Sequence, residues 1–328
     1  MTLRNSIILL AGTLLIQPAM AACQWDPDPA FGGEKPTTLT ISGTTLYVDA
    51  NAPVDDIIET LNSSMQARQI SYINCVPGEN YGKTALPPLQ PTGMARSFTT
   101  NIAGLSVRPA WTNATGAFGY YPSFQTMPEK RFNYPVNSYF RLEFIKTAPR
   151  LKLKDPKGDI ALNAGVILRN WITVDTPSTY AQLLQIGDIR IVSIPSCSLD
   201  GPRTVDFNDV SASDLRRGVV RDLNFSLTCA TDYGSYSATA SLSAASPNSD
   251  GTIPAADSAG NSDRMKIQVT DSNDGRMPAD GTLGETRVNV ADSVPVNFRW
   301  KATLLEGNGT LPEDGKLTAR AEILLVVN

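Results

Sequence analysis

The chain contains no histidine, and that absence sets the first limits on its chemistry. A Ser-His-Asp or Cys-His nucleophile system cannot be built without the imidazole that takes up and returns the proton. The four cysteines, at 23, 75, 197 and 229, stand too far apart in sequence for the usual zinc-ligand spacing. No cofactor is implied. Charge is also scarce: Asp, Glu, Lys and Arg make up 18% of the 328 residues, and the formal net charge is −4. Nucleic acid is therefore not an expected partner, because binding it requires a basic face that displaces counterions. Long apolar runs are missing beyond the N-terminus, so no membrane helix is expected. Strongly helical stretches are few, whereas glycine (24) and proline (23) are frequent. That mix points to short strands joined by many turns.

The N-terminus reads as an export signal. Arg4 supplies the positive region, and Ile7 to Ile16 forms an apolar run too short to span a bilayer. Ala19-Met20-Ala21 is an A-x-A cleavage site, so residues 1–21 are expected to be removed and the mature chain to begin at Ala22. The alternative is lipoprotein cleavage before Cys23, which Met20 fits poorly and which would leave three cysteines. An even cysteine count in an exported chain favours disulfides. Four cysteines allow three pairings. Pairing within each half needs only local contacts, so Cys23–Cys75 and Cys197–Cys229 are the preferred bridges.

Hydrophobic periodicity gives the organisation. In the first half, Thr38–Ser42 and Thr44–Val48 are strand-like and meet at Gly43. Ile70–Cys75, Phe98–Ile102, Leu105–Arg108, Gly165–Leu168 and Ile189–Val192 follow, while Asp55–Leu61 is open between a helical turn and a strand. Tyr139–Lys146 alternates apolar and charged residues from Phe140, as a half-buried strand does. A short linker, 193–196, leads into a second half that opens at Cys197. There Val205–Phe207 is a short strand, and Leu223–Cys229 has a clean period of two that puts Leu223, Phe225, Leu227 and Cys229 on one face. Ser237–Leu242, Met265–Val269, Arg287–Val290, Val296–Leu304 and Leu317–Val327 are further strands, separated by turn clusters such as Asn273-Asp274-Gly275. The class is all-β, two sandwiches in series, with domains at 22–192 and 197–328.

Other chemistry is weakly represented. Carboxylate pairs at Asp26/Asp28 and Asp55/Asp56 could in principle hydrolyse glycosides. Acidic side chains are mostly solvated, however, and nothing in the sequence places either pair in a cleft. Asp271 to Gly275 superficially suggests a calcium loop, but its glycine falls at the fifth position and the closing glutamate is missing, so a hairpin turn is expected. Four Asn-x-Ser/Thr sequons, at Asn62, Asn113, Asn224 and Asn308, are given no role.

The second half resembles the pilin domain of chaperone–usher fimbrial subunits. The resemblance is carried by Pro195-Ser196-Cys197, Val205-Asp206-Phe207, Asp214-Leu215-Arg216-Arg217-Gly218, Phe225-Ser226-Leu227-Thr228-Cys229 and the run from Gly315 to Ile323. Val327 stands where that family usually has a tyrosine. The first half is similar to the receptor-binding domain of two-domain tip adhesins, most of all the type 3 fimbrial adhesin. Ala52-Pro53-Val54, Ile102 to Arg108, Phe140-Arg141-Leu142 and Ile145-Lys146-Thr147 carry that likeness.

The resemblance implies two immunoglobulin-like sandwiches, the second lacking its last strand. A periplasmic chaperone, and then the N-terminal donor strand of the next fimbrial subunit, would fill the gap by β-strand addition. An outer-membrane usher would export the subunit to the cell surface. Leu317, Ala319, Ala321, Ile323, Leu325 and Val327, on one face of the last strand, would line the groove. Cleavage one residue before Cys23 would leave no arm to donate, which places the chain at the fimbrium tip as an adhesin for a host receptor, a matrix protein such as collagen or a glycan. A minor pilin or adaptor, and an exported glycosidase, are the rival readings.

Within the first half, Ser97–Pro128 holds a single charge, Arg108, among Trp111, Phe118, Tyr120, Tyr121 and Phe124. An isolated guanidinium among aromatics suits a carbohydrate or an extended peptide. The competing expectation is that these aromatics fill the core. The segment Val76–Lys83, with Tyr81, follows Cys75, and mannose-type tip adhesins form part of their sugar pocket from the corresponding loop. Asn170 and Trp171, at the end of the strand after Gly165, are a third candidate. Arg108, Trp111, Tyr121, Asn170 and Tyr81 are the candidate ligand-binding residues.

Overall fold

A computed structural model describes residues 23–328, so the export signal expected at 1–21 lies outside the described residues. The chain is built almost wholly from strands, in agreement with the expected all-β class. Strand pairing falls into two groups, and among the described residues no pair joins strands up to Ile194 to strands from Ser196 onward.

The first group forms a sandwich. One five-stranded sheet runs Ser123–Thr126, Asn80–Ala85, Gly165–Ile172, Tyr180–Ile186, Thr37–Ile41. The facing sheet contains Ile57–Asn62, Tyr139–Lys146, Leu105–Thr112 and Phe98–Thr99, with Phe118–Tyr120 added to Leu105–Thr112. Between them lies a core of Leu142, Phe144, Val107, Leu168 and Leu184, among others. Thr37–Ile41 pairs in parallel with Tyr180–Ile186, and Thr44–Asp49 pairs in parallel with Ile189–Ile194 in a separate three-stranded sheet. Both chains change sheet at the same place, where Gly43 and Gly187 touch. A Cβ on Gly187 would lie 2.3 Å from the Gly43 nitrogen, so the close crossing requires glycine.

The strand Tyr139–Lys146 is more deeply covered than alternation suggests. Glu143 is buried beside Arg108, and Lys146, 1% exposed, donates from Nζ to the Ala50 carbonyl at 2.6 Å. The charged positions are therefore not a solvent face. Phe98–Ile102 is strand only at Phe98–Thr99, because Thr100 Oγ1 bonds the Ile102 and Leu105 carbonyls and turns the chain. Asp55–Leu61 resolves as the strand Ile57–Asn62.

The second group places Ser196–Leu199, Val219–Ala230, Val296–Glu306, Met265–Thr270 and Ile253–Ala255 in one sheet, with Arg276–Met277 on Met265–Thr270. The other sheet is Asp280–Ala291, Ser235–Ser243, Glu322–Val327. Phe225, Leu227 and Cys229 are buried on the face that the period of two assigns to them. Cys197 stands opposite Cys229 in the strand register, and the two disulfides are Cys23–Cys75 and Cys197–Cys229. Asp271 to Gly275 is a hairpin turn, with Asp271 Oδ1 accepting from the Asn273 and Gly275 amides. Val205–Phe207 is not a strand: Phe207 is buried as a loop anchor, and its carbonyl accepts from Arg221. The sequence pattern also gave no sign of the helix Ala212–Arg217. Ser211 caps it, in a capping box closed by Asp214.

The last strand begins at Glu322, five residues later than the alternation from Leu317 suggests. Thr318 exchanges backbone hydrogen bonds with Ala256 of the opposite sheet, so residues 317–321 carry the chain from one sheet to the other. The alternation continues through the crossing because both edges face the same core.

The two groups meet through a partly buried polar cluster. Asp232 accepts from the Leu151 amide (2.7 Å) and from Ser193 Oγ (2.6 Å). Arg150 pairs with Asp292 at 3.0 Å, donates to Ser293 Oγ and reaches the Ala50 carbonyl. Tyr233 packs against the first core. Burial acts to raise the Asp292 pKa, but the Thr231 amide and the Arg150 guanidinium outweigh it, and the net shift is downward. The stability this carboxylate contributes is therefore full above the ordinary value of about 3.9 and is lost as pH falls through the lower folded value. Arg150→Ala is expected to cost about 1–2 kcal/mol of stability and to expose residues 193–196 to protease. Urea unfolding and limited proteolysis at neutral pH check this; an unchanged midpoint with unchanged cleavage would show that the cluster does not hold the halves together.

Candidate functional site

A cavity of about 640 Å³ opens at one end of the first sandwich, a size typical of small-molecule sites. Five strands bring its walls together: Asn80–Ala85, the end of Leu105–Thr112, Phe118–Tyr120, Ser123–Thr126 and Phe132–Tyr134. Neighbouring rings form a continuous wall. Tyr81 and Phe132 have centroids 4.3 Å apart, Phe132 and Tyr134 5.4 Å, and Trp111 and Tyr134 5.7 Å, the last two edge to face. Phe124, 72% exposed, stands at the rim.

The wall has its own support. Ile70, Tyr72, Cys75, Met127, Tyr134 and Ile172 form a second apolar cluster, against which Tyr81, Trp111 and Phe132 pack. The Cys23–Cys75 bridge therefore ties down the floor of the cavity. Behind Trp111 lies a buried polar hub. Gln182 accepts from Trp111 Nε1 at 2.7 Å and from Asn170 Nδ2 at 3.1 Å, and its own amide donates to Gln66 Oε1 and Ser138 Oγ. Tyr121 donates its hydroxyl to Asn170. Tyr121 and Asn170 are both wholly buried, and burial raises the Tyr121 phenol well above its usual value. Such a network fixes the indole orientation because every donor in it would be costly to leave unpaired.

Of the sequence candidates, Trp111 and Tyr81 line the cavity. Tyr121 and Asn170 lie beneath it and join it through Gln182. Arg108 stands outside the lining: its Nε bonds Glu143 at 2.8 Å and its guanidinium lies 5.1 Å from the Tyr120 ring centroid. Arg108 thus backs Tyr120, itself a wall residue. Sequence reading did not single out Lys83, Arg96 or Gln182 as site residues. Lys83 carried a usable signal, an isolated cation inside a strand bearing Tyr81, whereas Gln182 is a polar residue in an apolar strand whose partners come from distant segments.

The acidic pairs are apart from the cavity. Asp26 pairs with Arg131 at 2.6 Å, and its carboxyl is held below the usual range first by the Asp28 amide and then by Arg131. Asp28 caps the turn Pro29–Phe31, and Asp55 and Asp56 are exposed.

At the other end of the chain, a second cavity of about 600 Å³ opens between the two sheets of the second sandwich. Phe225, Val269 and Leu242 of the core reach it, and Leu317, Ala319, Ala321 and Ile323 form one side. Leu325 and Val327 pack on the same core farther along. Glu322–Val327 pairs with Ser235–Ser243 on one edge, and among the described residues no strand pairs with its other edge.

Residues 41–151 match the family model described as MrkD-like receptor binding domain. No curated protein matches the chain. Solved structures similar to it include the receptor binding domain of the plasmid-borne adhesin MrkD1P of Klebsiella pneumoniae, 19% identical over 51% of this chain and 96% of that one, with a TM-score of 0.40. The CsuC–CsuE chaperone–tip adhesion subunit complex of Acinetobacter baumannii is 12% identical over 93% of this chain and 99% of that one, at 0.40. The CupB6 tip adhesin of Pseudomonas aeruginosa is 12% identical over 92% of each chain, at 0.35. The whole lining of the aromatic cavity, from Tyr81 to Pro135, falls inside the segment that matches the family model.

Gln182→Ala is expected to cost about 2–4 kcal/mol, because it strands the Trp111 and Asn170 donors in a dry interior. A urea midpoint within error of the parent would show that the hub does not set the geometry of the wall.

Proposed function

Starting from a cavity that lies wholly within a segment matched to a receptor-binding family, we propose that the chain is a fimbrial tip adhesin. Its residues 22–192 bind a host receptor, and residues 197–328 join it to the fibre. The aromatic cavity is the receptor site, with Trp111 and Tyr81 as wall residues, Arg108 steadying Tyr120, and Tyr121 with Asn170 positioning Trp111 through Gln182. Aromatic faces stack on sugar rings or on peptide side chains, and the amide and hydroxyl groups of Asn113, Thr115 and Gln125 supply directional bonds at the edge. The activity is binding and not catalysis. No step of it draws on Asp26, Asp28, Asp55 or Asp56.

The observation that carries the assembly half is the unpaired edge of Glu322–Val327 beside an open apolar cavity. A donor strand from the next subunit, or a chaperone strand before it, would pair with that edge through its backbone. Its alternate side chains would enter the cavity, each contributing about 1.5–3 kcal/mol on burial. Leu317, Ala319, Ala321 and Ile323 would contact those side chains, with Leu325 and Val327 completing the same face. Passage through the periplasm and an outer-membrane usher to the cell surface follows from this mode of assembly.

Two measurements test the reading. A peptide from the N-terminal extension of a neighbouring subunit, added in excess, is expected to raise the melting temperature and to protect the Glu322–Val327 amides from exchange. No shift and no protection would remove donor-strand assembly. Trp111→Ala in the full chain, displayed on fimbriated cells, is expected to lower adhesion at least tenfold with assembly intact. Unchanged adhesion would remove the cavity as the receptor site.

A further inference from the structure

The cavity has a charge imbalance that a receptor site of unspecified chemistry does not require. Among the described residues two cations line it, Lys83 and Arg96, and no aspartate or glutamate does. Three cations outside the lining are paired with carboxylates, Arg108 with Glu143, Arg131 with Asp26 and Arg169 with Asp175, while Arg141, over the outer Phe118 ring, bonds the Asn62 side chain. Among the described residues neither Lys83 nor Arg96 has such a partner.

Lys83 is half-buried, and its amine makes one long hydrogen bond, 3.3 Å to the Gly119 carbonyl. An ammonium carries three donors, so two remain to be used. The same amine lies 5.0 Å from the Trp111 ring centroid, facing the wall. Burial pushes its pKa down to about 8. Holding a partly desolvated cation without a counter-charge is unfavourable, and an incoming anion would relieve that cost. The amine rests against Gly119, where a Cβ would lie 2.1 Å from Lys83 Nζ. Arg96, exposed at the mouth, lies 5.8 Å from the Tyr120 ring centroid.

We propose that the cavity takes a compact carboxylated saccharide, a sialic or uronic acid, whose carboxylate meets Lys83 and Arg96 while its ring lies on the aromatic wall. This rests on the cavity being the receptor site. A sugar acid fits better than an extended acidic peptide, because the site is concave and of small-molecule volume and its rim carries amides and hydroxyls suited to ring hydroxyl groups. A single carboxylate fits better than a polyanion, because the chain as a whole carries −4.

The ionisable groups facing Lys83 in the cavity are Arg96, Tyr81, Tyr120 and Tyr134. Burial raises the phenols of Tyr81 and Tyr134 above their ordinary value, so both stay neutral while Lys83 titrates. The anion raises the Lys83 pKa on binding. Affinity is therefore full below about pH 8 and falls as pH rises through that value.

The test measures binding of sialyllactose, a glucuronate-containing disaccharide and uncharged lactose to the full chain, by calorimetry and ligand-observed NMR. An Asp/Glu-rich peptide serves as the competing class. At pH 7 the acid sugars are expected to bind roughly tenfold or more tightly than lactose, a difference of one charge-assisted contact. Lys83→Gln, with an unchanged urea midpoint, should bring them down to the level of lactose, and Lys83→Arg should keep part of the difference. Raising the pH from 7 to 9 should weaken the acid sugars and leave lactose unaffected. Equal binding of sialyllactose and lactose, with both lost in Trp111→Ala, would overturn the acid preference and leave the receptor site standing. Failure of a folded chain to bind either acid sugar, capture of the acidic peptide alone, or acid-sugar binding indifferent to Lys83→Gln would each overturn the proposal.

Discussion

The second sandwich leaves an apolar cavity open beside a strand edge that has no partner among the described residues, and much of the molecule is arranged around that constraint. Glu322–Val327 is hydrogen-bonded along one edge, while core side chains as deep as Phe225, 3% exposed, reach the cavity beside its other edge. An open edge next to apolar surface is a liability, because it invites pairing with whichever strand arrives first. The bridge between Thr318 and Ala256 ties the segment that lines the cavity to the opposite sheet. The Cys197–Cys229 bridge and the Phe225, Phe298 and Trp300 cluster hold the rest of the core in place around it. What remains open is therefore a groove with a defined shape rather than a loose core.

The first sandwich solves a different problem, which is how to leave a cluster of aromatic rings facing a cavity without letting them collapse into it. Two supports act together. The small core around Cys75 backs Tyr81, Phe132 and Tyr134, and the Gln182 hub fixes the indole of Trp111 through a hydrogen bond that an apolar neighbour could not make. Polar residues in the interior are costly unless fully paired, and here they are paired. Their cost sets ring orientation, a property that hydrophobic contacts alone leave free. Arg150, Asp232 and Asp292 perform a related task between the two sandwiches, where directional bonds define how one end of the chain is carried by the other.

Legibility in the sequence follows the range of each interaction. The run Leu223–Cys229 was readable because a period of two, with one face buried, is written in consecutive residues. The same holds for Tyr139–Lys146 as a strand, but not for its burial, since Glu143 and Lys146 are covered by Arg108 and Ala50 from other segments. Leu317–Val327 showed its alternation but not its break at Glu322, because both sheets present the same core to it. Trp111 and Tyr121 were visible as aromatics in a segment poor in charge, Tyr81 by its place after Cys75, and Asn170 by its place at the end of a strand. Nothing local separates a ring that lines a cavity from one that lies beneath it. Arg108 drew notice as the lone charge of its segment, yet the cations lining the cavity without a carboxylate are Lys83 and Arg96; pairing with Glu143, a residue 35 positions away, is what separates Arg108 from them.

The sequence by itself determined an all-β chain without histidine chemistry, the core face of its clearest strands and two bridges drawn from local contacts. These depend on composition and on spacings of a few residues, which the backbone geometry of a strand converts directly into faces. Tertiary structure alone decided which aromatics surround a cavity, which cations there lack a carboxylate, and where an edge strand lies beside an open core. Those properties depend on which distant segments fail to meet as much as on which do, and they emerge only when every strand has been placed.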